Sequence, residues 1–68
     1  MSEEKKIDVV IRALNSPLYG LERRDVSGET DKVKKCVQFM DEKYDNWSDL
    51  IYGSYYLTRV ADDYIKSL

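Results

Sequence analysis

Apolar residues recur at steps of three and four in three stretches of the chain, which is the spacing of amphipathic helices. The first stretch covers roughly residues 3–14, and Ser2 before it is a suitable N-cap. Its apolar face consists of Ile7, Val10, Ile11 and Leu14. The pattern therefore predicts a first helix that packs through this face.

The second long stretch runs from about residue 29 to residue 44, with Ser27 or Thr30 as its expected N-cap. Phe39 lies beside its apolar face. That face is formed by Val33, Cys36, Val37, Met40 and Tyr44. A thiol on an apolar helix face behaves as a small hydrophobic group, so we expect Cys36 to be buried and unreactive.

The third stretch, residues 47–68, is the longest, and it holds the only Trp and four of the six Tyr. Asn46 followed three residues later by Asp49 resembles a capping arrangement at its start. Its apolar stripe consists of Trp47, Ile51, Ser54, Thr58, Ala61, Ile65 and Leu68, widened by Leu50, Leu57 and Tyr64. We expect one continuous helix, whose small central residues allow a neighbouring helix to approach closely.

A break separates the first helix from the second long one. Pro17 cannot continue the first helix, but it suits the first turn of a new helix with Ser16 as its cap. Residues 17–24 therefore predict either a short helix containing Leu18, Tyr19 and Leu21 or an ordered loop held by its two leucines. Residues 25–30 are rich in turn residues and predict a connector.

These elements predict an all-α fold, a small antiparallel bundle of three long helices plus one short helix, in one domain across residues 1–68. A chain of 68 residues is close to the size at which one core can offset chain entropy without help. With no His and one Cys, the chain cannot form a His/Cys zinc site or an internal disulfide. A partner surface or a second copy of the chain is then the remaining source of support.

Several function classes are disfavoured by composition. Without His there is no Cys/His or Ser/His pair, and no phosphate-binding glycine loop is present, so we expect no enzymatic activity and no cofactor. No apolar run is long enough to span a bilayer, and the charged start lacks the apolar region of a signal peptide. We therefore expect a cytoplasmic protein that does not bind membranes.

The strongest candidate site consists of aromatic residues on an otherwise polar face of the third helix. On a continuous helix, Tyr52 and Tyr56 share a stripe with Arg59 and Asp63, and Tyr55 lies next to them. Aromatic rings are enriched where proteins meet, but they also pack into cores more often than they bind. Two interpretations are therefore open: a partner-binding surface formed by Tyr52, Tyr55, Tyr56 and Arg59, or burial of these rings beneath another helix.

Two charged clusters offer weaker candidates. The basic one could contact phosphates, but interspersed carboxylates leave it only one positive charge ahead, and a solvated helix face is the simpler interpretation. It consists of Arg23, Arg24, Lys32, Lys34 and Lys35. The acidic one could hold a hard cation, but its spacing does not match a calcium loop, so we expect no metal site. It consists of Asp41, Glu42, Asp45 and Asp49.

The leading hypothesis is a small non-enzymatic accessory or inhibitor protein, of a kind that phages and mobile elements encode, which binds a protein partner through its tyrosines. An alternative is a nucleic-acid-binding domain accessory to a helicase or nuclease. In size and helix number the chain is similar to the HRDC-type modules of RecQ-like helicases, which implies a helical fold but carries no motif. A third hypothesis is a homodimer closed by the surface of the third helix.

Overall fold

The computed structural model describes residues 2–17 and 20–68. Four α-helices make up most of the described chain, and a 3₁₀ turn, Ile51–Gly53, joins the last two. The helices are α1 (Glu3–Asn15), α2 (Thr30–Lys43), α3 (Trp47–Leu50) and α4 (Tyr55–Lys66). The described residues contain no strand. The prediction of an all-α fold with three longer helices and one short helix is confirmed.

The short helix is not where the sequence predicted it. Residues 20–24 are not helical, and Gly20 adopts a positive φ of 83°, while Leu18 and Tyr19 lie outside the described residues. The backbone N–H of Arg24 donates to the carbonyl of Leu14 at 2.9 Å. This bond satisfies one of the free carbonyls at the end of α1. It holds the non-helical segment of residues 20–24 against that helix.

The prediction of one continuous C-terminal helix is also wrong, because this part of the chain is divided into α3, the 3₁₀ turn and α4. Gly53 is a poor helix former, and the following Ser54 is extended and caps α4 by accepting a hydrogen bond from the N–H of Leu57 at 3.1 Å. The Thr58 hydroxyl donates towards the carbonyls of Ile51 and Ser54, each at 2.9 Å. Thr58 thus joins the two sides of the break.

Most of the predicted apolar stripe survives this break, because its buried members continue to face the core on both sides. Trp47, Ile51, Thr58, Ala61 and Ile65 are buried. The stripe fails at two positions that the sequence assigned to it. Leu50 is 55% exposed and Leu68 is 44% exposed.

Only one of the predicted helix caps is confirmed. Ser2 accepts a hydrogen bond from the N–H of Lys5 at 3.4 Å. The N-cap of α2 is Glu29 rather than Ser27 or Thr30, and its side chain makes no capping bond. Asn46 does precede α3, but it makes no side-chain capping bond and instead adopts a left-handed φ of 57°, which Asn tolerates better than most residues.

The core is formed by α1 and α2 packing against each other, with α4 packing against both. Its buried apolar members are Val10, Ala13, Leu14, Val26, Val33, Cys36, Val37, Met40, Trp47, Ile51, Leu57, Ala61 and Ile65. Cys36 is completely buried, its Sγ lies 3.8 Å from the carbonyl oxygen of Ala61, and burial raises its pKa to about 12. The expectation of a buried thiol is confirmed, and the small Ala61 lets α2 approach the α4 backbone there.

Across residues 2–17 and 20–68, every helix is too short or too polar to cross a bilayer.

Candidate functional site

The tyrosine surface, defined here as Tyr44, Tyr52, Tyr55, Tyr56 and Arg59, lies on the outside of the α3–α4 region. Tyr52, Tyr55 and Tyr56 are 48%, 38% and 61% exposed, and Leu50 is exposed beside them in the chain. Of the five exposed large apolar side chains in the described residues, four fall between residues 50 and 56. The interpretation that another helix buries these rings is therefore wrong.

One half of the surface is a row along α4. The Arg59 guanidinium donates a hydrogen bond to the Tyr55 hydroxyl at 3.2 Å, and its Nε lies 3.8 Å from the carboxylate of Asp63. The hydrogen bond to the Tyr55 hydroxyl and the nearby Asp63 carboxylate raise the pKa of Arg59. The four-residue spacing of these residues on one helix brings them together, and the contacts hold the Tyr55 ring in place.

The other half joins α4 to the end of α2. The Tyr44 and Tyr56 rings meet edge to face, with centroids 6.1 Å apart, and their hydroxyls are 3.4 Å apart. This hydrogen bond raises the pKa of Tyr44. The sequence assigned Tyr44 to the core face of α2, but it lies just after that helix and is only half-buried. Its position at a helix end, before Asp45 and Asn46, was the available signal that it could turn outwards.

The break at Gly53 changes which side chains the surface brings together. The sequence placed Tyr52 and Tyr56 on one stripe with Arg59. In the structure Tyr52 belongs to the 3₁₀ turn, Arg59 contacts Tyr55, and Tyr56 contacts Tyr44. The surface is therefore a cluster around the start of α4 and not a single helical stripe.

Three of the five residues in the predicted basic cluster are engaged with other side chains of the chain. Arg24 makes a 2.6 Å ion pair with Asp62, whose side chain is only 8% exposed and also pairs with Lys66 at 3.0 Å. Arg23 donates from Nε to the Asn15 side-chain oxygen at 2.8 Å, and Lys32 pairs with Glu29 at 3.3 Å. Lys34 and Lys35 are exposed on α2. Arg24 in particular connects the segment before α2 to α4, a role that sequence reasoning did not identify.

Three of the four predicted acidic residues line an open pocket of about 430 Å³ beside the tyrosine surface. Its lining comprises Lys6, Asp41, Tyr44, Asp45, Asn46, Trp47, Ser48 and Asp49. The Asp41 carboxylate accepts hydrogen bonds from Lys6 Nζ and Trp47 Nε1, both at 2.8 Å. The Lys6 bond, helped by the Trp47 bond, lowers the pKa of Asp41. Asp41 therefore connects α1, α2 and α3.

Among residues 2–17 and 20–68, no group of three or more His, Cys, Asp or Glu side chains is arranged to hold a metal ion.

No protein-family model, curated protein or solved structure matches the chain.

Proposed function

We propose that the chain is a small non-enzymatic interaction module, an accessory or inhibitor protein, that binds a protein partner through the tyrosine surface. The observation that carries the proposal is the clustering of exposed apolar side chains between residues 50 and 56. Tyr and Arg are enriched at the centres of protein interfaces, where Tyr supplies a large, rigid contact area and a hydroxyl that can hydrogen-bond.

The contacts within the surface support the same proposal. Tyr55 and Tyr56 are already held by Arg59 and Tyr44. Side chains that are ordered before binding lose less conformational entropy when a partner docks. The rings are thus partly preorganised for contact.

The size of the domain sets how much of it a partner would cover. A standard interface buries about 800 Å² on each partner, and the accessible surface here is 4432 Å². A standard partner would therefore cover roughly a fifth of the molecule. Such an interface would extend beyond the tyrosine surface to neighbours such as Leu50 and Asp63.

The decisive experiment compares Tyr56→Glu with Tyr56→Phe in capture of partners by the immobilised full chain. A charge at an interface centre should weaken capture by at least about tenfold, whereas Phe keeps the ring and most of the binding. Circular-dichroism melting should be nearly unchanged in both, because the Tyr56 side chain is mostly in solvent.

Gln38→Glu is the matched control, since it adds the same charge at an exposed position on α2. Equal loss of capture in Gln38→Glu and Tyr56→Glu would mean that net charge, rather than the tyrosine surface, controls binding. Unfolding of Tyr56→Glu would mean that the ring stabilises the fold, and the proposal would lose its main support.

The nucleic-acid alternative has weaker support, because Arg24 and Lys32 are engaged with carboxylates of the same chain. A titration with labelled single-stranded, duplex and forked DNA distinguishes it. Binding that weakens steeply with salt would favour this alternative, and no binding at low salt would remove it. Sedimentation at several protein concentrations tests the homodimer hypothesis. A sedimentation coefficient that rises with protein concentration would favour it.

A further inference from the structure

Charge is distributed unevenly along the chain. Residues 41–63 carry six carboxylates and two cations, a net charge of −4, whereas the remainder carries a net charge of +2. Within that segment, residues 44–58 contain two carboxylates, Asp45 and Asp49, and no Lys or Arg. These residues include all four tyrosines of the tyrosine surface, so the exposed rings lie in the most acidic part of the molecule.

Three of the six carboxylates in residues 41–63 are paired with cations of the chain. Asp41 pairs with Lys6, Asp62 with Arg24 and Lys66, and Asp63 with Arg59. No such ion pair is formed by Asp45 or Asp49 within the described residues, and both are exposed.

Two neighbouring cations, Lys6 and Lys43, are engaged with other groups. Lys6 lines the same pocket but bonds Asp41, and the Lys43 ammonium lies 5.9 Å from the centre of the Phe39 ring. Among residues 2–17 and 20–68, these two cations therefore form no ion pair with Asp45 or Asp49.

The two carboxylates are connected to Tyr44 and Tyr56 of the tyrosine surface. Asp45 and Asp49 line the same open pocket as Tyr44, and the Tyr44 hydroxyl meets that of Tyr56. An ammonium or guanidinium group is attracted both by a carboxylate and by the face of an aromatic ring. A short basic segment that docks here could therefore contact a carboxylate and an aromatic ring with the same Lys or Arg side chain or with two neighbouring ones.

We propose that the partner of the tyrosine surface is a basic protein segment, with Lys or Arg side chains that contact Asp45 and Asp49 while neighbouring apolar atoms pack on the tyrosine rings. This inference rests on the proposed function and adds the chemistry of the partner to it. A nucleic-acid backbone is a poor occupant, because its phosphates would meet the exposed carboxylates of Asp45 and Asp49. Complementary charge also speeds encounter between partners, so the association should be sensitive to salt.

The test selects a random peptide display library on the immobilised full chain. Selection on the unmodified protein should enrich Lys and Arg, and selection on the Asp45→Asn/Asp49→Asn variant should not. Glu22→Gln/Asp31→Asn is the matched control, since it removes two exposed carboxylates in the segment before α2 and in its first turn. Thermal melting of each variant, followed by circular dichroism, confirms that it is folded.

The affinity of a selected peptide should fall by about tenfold in Asp45→Asn/Asp49→Asn and stay within about twofold in the control. Selected peptides that need Tyr56 but show no basic enrichment would overturn the basic-partner inference and leave the proposed function standing. Peptides that bind Tyr56→Glu equally well would overturn both. Concentration-dependent self-association that Tyr56→Glu abolishes would make the occupant a second copy and would also overturn the inference.

Discussion

The inner and outer faces of residues 47–65 carry similar large apolar side chains, but those on the inner face are buried and those on the outer face are exposed. On the inner face, Trp47 and Ile51 are buried against α1 and its neighbours. On the outer face, Leu50, Tyr52 and Tyr56 are 55%, 48% and 61% exposed, although they belong to the same short stretch of chain. The inner and outer residues are similar in type but differ in burial, so residue type alone does not show which of them belong to the core.

The polar atoms of the two faces are also treated differently. On the inner face, Trp47 bonds Asp41, Thr58 bonds backbone carbonyls, and Asp62 pairs with Arg24. On the outer face, the hydroxyls of Tyr55 and Tyr56 contact Arg59 and Tyr44, which are side chains of the same surface. The inner contacts therefore explain the fold, whereas the outer ones are expected to contribute little to it.

The largest effect is expected when truncations on the two faces are compared at neighbouring positions, Ile51→Ala on the inner face and Leu50→Ala on the outer face. Ile51 is completely buried, so its truncation should destabilise the domain by about 2–5 kcal/mol, whereas Leu50→Ala should stay within about 0.5 kcal/mol. Urea denaturation followed by circular dichroism measures both. Since small domains are stable by only about 5–15 kcal/mol, the first variant loses much of its stability. Similar losses in the two variants would contradict the contrast.

A smaller effect is expected at the ion pair that joins the segment before α2 to α4. Arg24→Met removes one partner of the nearly buried Asp62 and should cost about 1–3 kcal/mol, less than for an isolated buried charge because Lys66 remains. Arg23→Met, at an exposed position, should cost less than about 0.5 kcal/mol. Equal stability of the two variants in thermal melts would show that Arg24 has no structural role.

The smallest effect concerns acid pH. The pKa of Asp41 is lowered in the fold from its ordinary value of 3.8, so its contribution to stability is present above that value and is lost as pH falls through the lower folded pKa. Because the carboxylate is 41% exposed, the contribution should be at most about 1 kcal/mol.

Melting temperatures measured from pH 5 downwards should therefore fall less for Asp41→Asn than for the unmodified protein. An identical acid response in the two proteins would mean that the Lys6 and Trp47 contacts do not stabilise the fold.

Local sequence signals were reliable where a single interaction decides the outcome. The helix starting after Ser2 and the buried face around Cys36 both followed from spacing and capping chemistry. They failed where two signals competed. At Gly53 and Ser54, helical periodicity continued across residues that also end and cap helices, and the structure follows the capping signal.

Sequence pattern by itself determined the all-α class, the two long N-terminal helices and most of the core, because apolar periodicity reports which face of each helix avoids water. Tertiary structure decided that Tyr52, Tyr55 and Tyr56 stay exposed, that Tyr44 joins them, and that Arg24 pairs with Asp62. The reason is physical. Exposure and ion pairing depend on which distant segment lies nearby, and Arg24 and Asp62, which are 38 positions apart in the sequence, are brought together only by folding.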